Sequence, residues 1–229
     1  NADLGKLDSG THPAQQRLAF EELLAHQISM RFIRKEMSKQ SAVSFKPPAE
    51  KCDALRNRLA FKLTNAQQKV HVEIAQDLAK FSPMLRLVQG DVGSGKTVVA
   101  AFAALQAIEN NVQVGIMAPT EILAEQHLVN FTAWLAPLGI SIAWLSSKVK
   151  GKQRLETIRQ IAEGEAKVVI GTHALFQKDV IYHHLGLVII DEQHRFGVQQ
   201  RMAFREKGGA SATVPHQLVM TATPIPRTL

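Results

Sequence analysis

One cysteine, Cys52, stands in 229 residues. An internal disulfide and a cysteine-rich zinc site are therefore both excluded, and the chain fits a reducing cytosol. Long apolar runs are missing too. The longest, such as Val98 to Leu105, reach about half or less of the roughly 18–20 residues that a membrane span requires. The opening stretch NADLGKLDSG has no apolar core of the signal-peptide kind. It also has no initiator Met, so the chain is expected to be an excised piece of a longer one. Internal repeats and low-complexity tracts are absent from the sequence. What remains is an ordinary globular composition, 45% hydrophobic and 21% charged. The formal net charge of +7 suits an anionic partner such as nucleic acid without requiring one.

Apolar residues at helical spacing, Leu24, Ile28, Phe32 and Met37, predict one long helix over Pro13 to Gln40, starting near Gly10 and Pro13. SAVSFKPPAE breaks it, with Pro47-Pro48 as the firmest stop. Residues 1–52 are expected to be a helical connector or flanking segment, or an amphipathic helix packed on the main body. Residues 53–229 are expected to form the main domain. From Thr64 onward helix and strand alternate. Helices are predicted over Asn65–Lys80, Lys96–Glu109, Glu121–Leu135 and Lys152–Glu163. Strands are predicted over Leu85–Gln89, Gln113–Ala118, Ser141–Leu145, Lys167–Gly171, Leu187–Ile190 and Gln217–Met220. These strands are short Val/Ile/Leu-rich runs without polar alternation, the mark of burial on both faces. The expected fold is α/β, a mostly parallel sheet with helices on both sides.

GDVGSGKT, from Gly90 through Asp91, Val92, Gly93, Ser94, Gly95 and Lys96 to Thr97, fits G-x-x-x-x-G-K-[ST] between a predicted strand and a predicted helix. Its glycines let backbone N–H groups turn inward around phosphate oxygens. The helix starting near Lys96 adds its N-terminal partial positive charge. Lys96 can reach the β- and γ-phosphates, and the Thr97 hydroxyl can ligate Mg²⁺. GLVIIDEQHRFG then runs from an apolar strand straight into two acids, Asp191 and Glu192. In P-loop proteins a carboxylate at the end of a neighbouring buried strand holds Mg²⁺ through its water shell, the position of Asp191. Glu192, in the turn that follows, can orient and deprotonate the attacking water. ATP and Mg²⁺ are the implied cofactors.

GDVGSGKT, APTEILAEQH, GTHALF, DEQH and TATPIPRTL occur in that order. Together they resemble motifs I, Ia, Ib, II and III of superfamily 2 helicases, most closely the RecG family of branched-DNA helicases. The resemblance covers Phe61 to Leu229. RLAFEELLAHQ is similar to the helical stretch that follows the DNA-binding wedge domain of that family. The transcription-repair coupling factors share most of these motifs but usually carry Glu where this chain has Gln193.

The resemblance implies a P-loop, RecA-like domain that binds ATP as the first lobe of a DNA motor, with the second lobe absent from this chain. In the family that lobe supplies an arginine to the transferring phosphoryl group, so the chain alone is expected to be nearly inactive as a helicase. FKLTNAQ resembles a Q-motif in which Phe61 stacks on adenine and Gln67 reads its edge. Thr64-x-x-Gln67 is equally a helix capping box. DNA contacts are implied for Thr120, Glu121 and Gln126, and for Thr172 and His173. An N-capped helix and a structural histidine are the alternatives. Coupling between nucleotide site and motif III is implied for Gln193, His194, Thr221, Thr223 and Arg227. The implied partner is branched or duplex DNA at forks and Holliday junctions, with no membrane involved and the protein a monomer. A P-loop switch that touches no nucleic acid is the rival of another class.

One charge feature lies outside the motifs. No Lys or Arg occurs between Lys96 and Lys148, after which Lys148, Lys150, Lys152, Arg154 and Arg159 follow closely, with Glu156 among them. Such a run can track a phosphate backbone, or it can be a solvated helix start.

Overall fold

The computed structural model describes residues 12–17, 20, 21, 24, 28, 40–192 and 213–222. The chain divides into two compact units, one carrying Asn1–Lys39 and the other spanning Gln40–Ile225. In the first, the helix begins at Pro13, with His12 accepting at its start from the Gln16 amide at 3.1 Å. Proline suits this first position, where its missing N–H costs nothing. Described positions through Ile28 are helical; the remainder of the helix expected to reach Gln40 lies outside the described residues, and Gln40 itself sits in a bend.

The second unit is a six-stranded sheet. In chain order its elements are α1 (Glu50–Arg58), α2 (Asn65–Leu78), β1 (Leu85–Gln89), α3 (Lys96–Glu109), β2 (Gln113–Met117), α4 (Glu121–Leu135), β3 (Ile142–Leu145), α5 (Gly151–Ala162), β4 (Val168–Gly171), β5 (Leu185–Asp191) and β6 (His216–Thr221). Short 3-10 turns follow α4 at Ala136–Leu138 and β4 at His173–Phe176. The strands lie in the order β1-β6-β5-β2-β4-β3, and every pairing is parallel.

Burial on both faces is visible residue by residue. Successive side chains of a strand point to opposite faces. In β5, Leu187 and Ile189 join one core while Val188 and Ile190 join the other. In β6, Leu218 and Met220 face the first core and Val219 the second. The first core takes in α1 to α4, with Phe45, Leu55, Ile74, Phe102 and Phe131. The second is closed by Ile161 of α5 and by Ala174, Leu175, Val180 and Tyr182. Alanines 100, 101, 103, 104 and 107 of α3 are all at most 1% exposed, so this helix lies close on the sheet.

Two features differ from the sequence-based expectation. Helix α1 was not expected, because Pro47-Pro48 read only as a stop. Its acids Glu50 and Asp53 stand in the first turn and Arg56 and Arg58 in the last, the arrangement that the helix dipole favours. The compact unit also starts earlier than residue 53. Phe45 and Cys52 are buried in its core, and the Ala42 and Phe45 amides donate to Phe81 and Leu78. Burial, with Glu109 nearby, pushes the Cys52 thiol up to about 12.

Candidate active site

The expected motifs stand at the carboxyl ends of the parallel strands, the edge at which open α/β sheets bind ligands. Registry fixes their neighbours. Gln89, before the Gly90 loop, pairs with Thr221, and Asp191 pairs with Met220. Met117 pairs with Ile190 on one side and with Gly171 on the other. Across the sheet the order is therefore motif I, III, II, Ia, Ib. Gly171 is needed for close approach: a Cβ there would meet the Leu145 carbonyl oxygen of β3 at 1.8 Å.

The Gly90–Thr97 loop joins β1 to α3. Gly93 and Gly95 have φ of +81° and +80°, a conformation that side chains rarely adopt. Gly95 caps α3, so the loop turns directly into a helix N-terminus with its unpaired N–H groups. Lys96 Nζ donates to the Gly90 and Asp91 carbonyl oxygens at 2.6 and 2.9 Å, which folds the ammonium over the loop. Val92 at the loop tip is 90% exposed. The Gly90 amide donates to Thr221 O at 3.2 Å, joining motif I to motif III. These groups fit a polyphosphate. Thr97 lies in the first turn of α3, and its hydroxyl and the Asp191 carboxylate are hard oxygen groups of the kind that Mg²⁺ takes. Among the described residues no group of three His, Cys, Asp or Glu could hold a metal ion. A cation here would need phosphate oxygens to complete its shell, as Mg²⁺ at nucleotide sites does.

Asp191 ends β5 with a side chain 14% exposed, and its Oδ2 lies 2.7 Å from His127 Nε2 of α4. Glu192 follows at φ +52°, a left-handed turn that costs a non-glycine residue on the order of 1–3 kcal/mol. The turn carries its carboxylate onto motif III: Oε1 accepts from the Ala222 amide at 3.0 Å and Oε2 from the Thr221 hydroxyl at 3.1 Å. Its own amide donates to Met220 O at 2.9 Å. The link from motif II to motif III thus runs through Glu192. Gln193, His194, Thr223 and Arg227, expected to couple these motifs, lie outside the described residues.

Gln67 makes both parts of the capping box. It receives the Thr64 amide on Oε1 at 2.9 Å, and its own amide donates to Thr64 Oγ1 at 3.2 Å. Its Nε2 also donates to Ser94 O at 2.9 Å, and a Cβ on Gly95 would meet that nitrogen at 2.2 Å. The residue therefore fastens the start of α2 to the phosphate loop. Beside it, Phe61, half exposed, lines an open cavity of about 830 Å³ with Arg56, Lys62, His71 and Val72. Burial, with Arg56 nearby, holds the His71 imidazole below its ordinary value. Gln67→Glu tests the two roles apart. Glutamate keeps the capping acceptor but loses the donor to Ser94 O. We expect thermal stability near wild type and weaker nucleotide binding, whereas Gln67→Ala should lower stability as well, because the Thr64 amide loses its capping-box acceptor. A melting curve and a nucleotide titration check this.

The expected DNA contacts divide. Thr120 caps α4, its hydroxyl accepting from the Leu123 amide at 3.3 Å. The Glu121 carboxylate is held by Lys148 and, at 3.1 Å, by Ser147; the Lys148 bond keeps this carboxyl below its ordinary value. Gln126 is exposed on α4 beside Ile122 and Val129. His173 is exposed, but Thr172 is buried and its hydroxyl has no hydrogen-bond partner among the described residues. In the basic run, Arg154 pairs with Asp179 at 2.7 Å, and Arg159 with Glu156 at 2.8 Å, Glu165 at 3.2 Å and Glu163. With Lys148 on Glu121, three of the five cations have acidic partners, which favours the solvated helix start over a phosphate track.

Sequence reasoning overlooked His127. The buried face of α4 runs Ala124, His127, Phe131, Leu135. A titratable residue in that apolar stripe was the available signal.

The model of the DEAD/DEAH box helicase family matches residues 64–229. The chain is 56% identical over 226 residues to the ATP-dependent DNA helicase RecG of Haemophilus influenzae, covering 99% of this chain and 33% of that one. It is 55% identical to RecG of Escherichia coli strain K12, again over 99% of this chain and 33% of the relative. It therefore spans about a third of the length of these relatives. A solved structure of RecG bound to a three-way DNA junction superposes with a TM-score of 0.82 at 41% identity, covering 96% of this chain and 30% of that one. The expected RecA-like architecture is therefore present, though the N-terminal helix is described only in part. From the ordered strand-end motifs, the matched model and these relatives together, the chain belongs to the DEAD/DEAH box helicase family.

Proposed function

We propose that this chain is the ATP-binding lobe of an ATP-dependent DNA helicase of the RecG kind, acting on branched DNA in fork reversal, Holliday-junction migration and repair. The observation that carries this is the junction of motifs I, II and III at one strand edge, where Gly90, Glu192 and Thr221 are hydrogen-bonded together. The family match and the RecG relatives support the nucleic-acid half of the reading.

Each residue then has a task. Loop amides not already bonded among the described residues, those of Val92, Gly93, Gly95, Lys96 and Thr97 at the α3 N-terminus, bind the phosphates. Lys96 turns from the loop carbonyls to the β- and γ-phosphate oxygens. Thr97 and Asp191 hold the Mg²⁺, which when bound offsets charge on those oxygens. Glu192 accepts the proton of the attacking water, and its bonds to Thr221 and Ala222 make motif III sense that step. Phe61 and Gln67 take the adenine. Thr120, Gln126 and His173 with nearby backbone amides face DNA phosphates. In a protein of the relatives' length, residues 1–52 follow a junction-gripping wedge domain, and a second RecA-like lobe closes over the nucleotide. We assign the protein to the bacterial cytoplasm, at the nucleoid, as a monomer. Among the described residues no helix is long and apolar enough to cross a membrane.

An ATPase assay of this chain beside the full-length protein, with and without forked DNA, tests the reading. Forked DNA should stimulate the full-length protein. The chain alone should hydrolyse ATP slowly and respond little, because a cross-lobe arginine is worth about 10³–10⁵ in turnover in other P-loop systems. Full-length turnover that ignores DNA would favour a P-loop switch. Equal DNA-stimulated rates would show that one lobe suffices.

A further inference from the structure

We propose that His127 is a positioning residue for the metal carboxylate Asp191, holding it from helix α4. The proposal rests on the reading of Asp191 as a Mg²⁺ carboxylate.

The two side chains meet at 2.7 Å, His127 Nε2 to Asp191 Oδ2, and are 7% and 14% exposed. A carboxylate at a strand end turns freely about its last bond unless something holds one oxygen. The imidazole holds Oδ2, while Oδ1 has no hydrogen-bond partner among the described residues. The imidazole is itself fixed: it lies in the buried stripe of α4, and the Phe131 ring one turn on meets it edge-on at 6.3 Å.

A purely structural role explains this residue poorly. His127 Nδ1 is buried and has no hydrogen-bond partner among the described residues, which carries a desolvation cost. An apolar side chain would fill the stripe without it. What the histidine contributes, and an apolar residue cannot, is the N–H aimed at Asp191. Ligating carboxylates elsewhere are held by such outer hydrogen bonds, and removing one typically costs about 10–100-fold in metal affinity. The consequence for the fold is that the orientation of Asp191 depends on α4, the helix opened by Thr120 and Glu121, and not only on its own strand.

The test is a titration of the wild-type chain and its His127 variants with a fluorescent ATP analogue, with EDTA and then over a range of Mg²⁺. His127→Ala and His127→Phe remove the donor, and phenylalanine also fills the volume. Both should raise the Mg²⁺ concentration for half-maximal binding about 10–100-fold. Metal-free binding should stay near wild type. His127→Gln, which returns an N–H at similar reach, should recover most of the loss. A folded His127→Phe with wild-type Mg²⁺ dependence would overturn the proposal. So would a His127→Gln as defective as His127→Ala, or a matching loss of metal-free binding. A wild-type chain that binds no nucleotide in either condition would instead overturn the site itself.

Discussion

Glu192→Gln should leave nucleotide and Mg²⁺ bound while ATP hydrolysis by the full-length protein falls about 10²-fold or more, the scale of a lost general base. The substitution is informative because of where the carboxylate lies. Oε1 accepts from the Ala222 amide and Oε2 from the Thr221 hydroxyl. An amide can keep both contacts: its oxygen still accepts from Ala222, and its nitrogen can donate to Thr221, whose hydroxyl accepts as readily as it donates. The motif II to motif III link therefore survives, and only the proton acceptor is lost. Glu192→Ala removes both and should be worse in DNA stimulation as well as in basal turnover. Steady-state ATPase with a parallel nucleotide titration separates these. Were Asp191→Asn to spare Mg²⁺-dependent binding and Glu192→Gln to abolish it, the two acids would have exchanged roles.

Lys96→Ala should weaken ATP binding and cut DNA-stimulated turnover by about 10²–10³-fold, the scale of a lost preorganised donor to a transition-state oxygen. The fold should not change. Among the described residues the Lys96 ammonium donates to the Gly90 and Asp91 carbonyls, which belong to the phosphate loop and not to the core. Its loss leaves the glycine cradle and the α3 N-terminus in place. A variant that melts with the wild type and hydrolyses ATP at a wild-type rate would remove Lys96 from the site.

The sheet was legible in sequence because parallel strands buried on two faces must be short and apolar, and because each motif punctuates a strand end. Helices α3 and α4 and strand β1 begin and end where those signals place them. Strand β5 extends beyond the expected Leu187–Ile190 to Leu185 and Asp191, and β6 beyond Gln217–Met220 to His216 and Thr221, since ladder pairing continues past the apolar runs. Helix α1 was hidden behind Pro47-Pro48, although its charge order announced it. What sequence could not show was pairing across distance. Lys148 finds Glu121, Arg154 finds Asp179, and Arg159 finds Glu165, each joined only by folding. His127 meets Asp191 for the same reason: their strands and helices are neighbours in space and far apart in the chain.

Amide hydrogen exchange of the wild-type chain, with and without a non-hydrolysable ATP analogue and Mg²⁺, reports where the nucleotide binds. The nucleotide is held to lie on the strand edge built by Gly90–Thr97, Asp191–Glu192 and Thr221. Ligand should then slow exchange of the loop amides within Asp91–Thr97 and of the Glu192 and Ala222 amides, with the strongest effect at the α3 N-terminus. Protection confined to other segments at nucleotide concentrations that saturate the chain itself would contradict it.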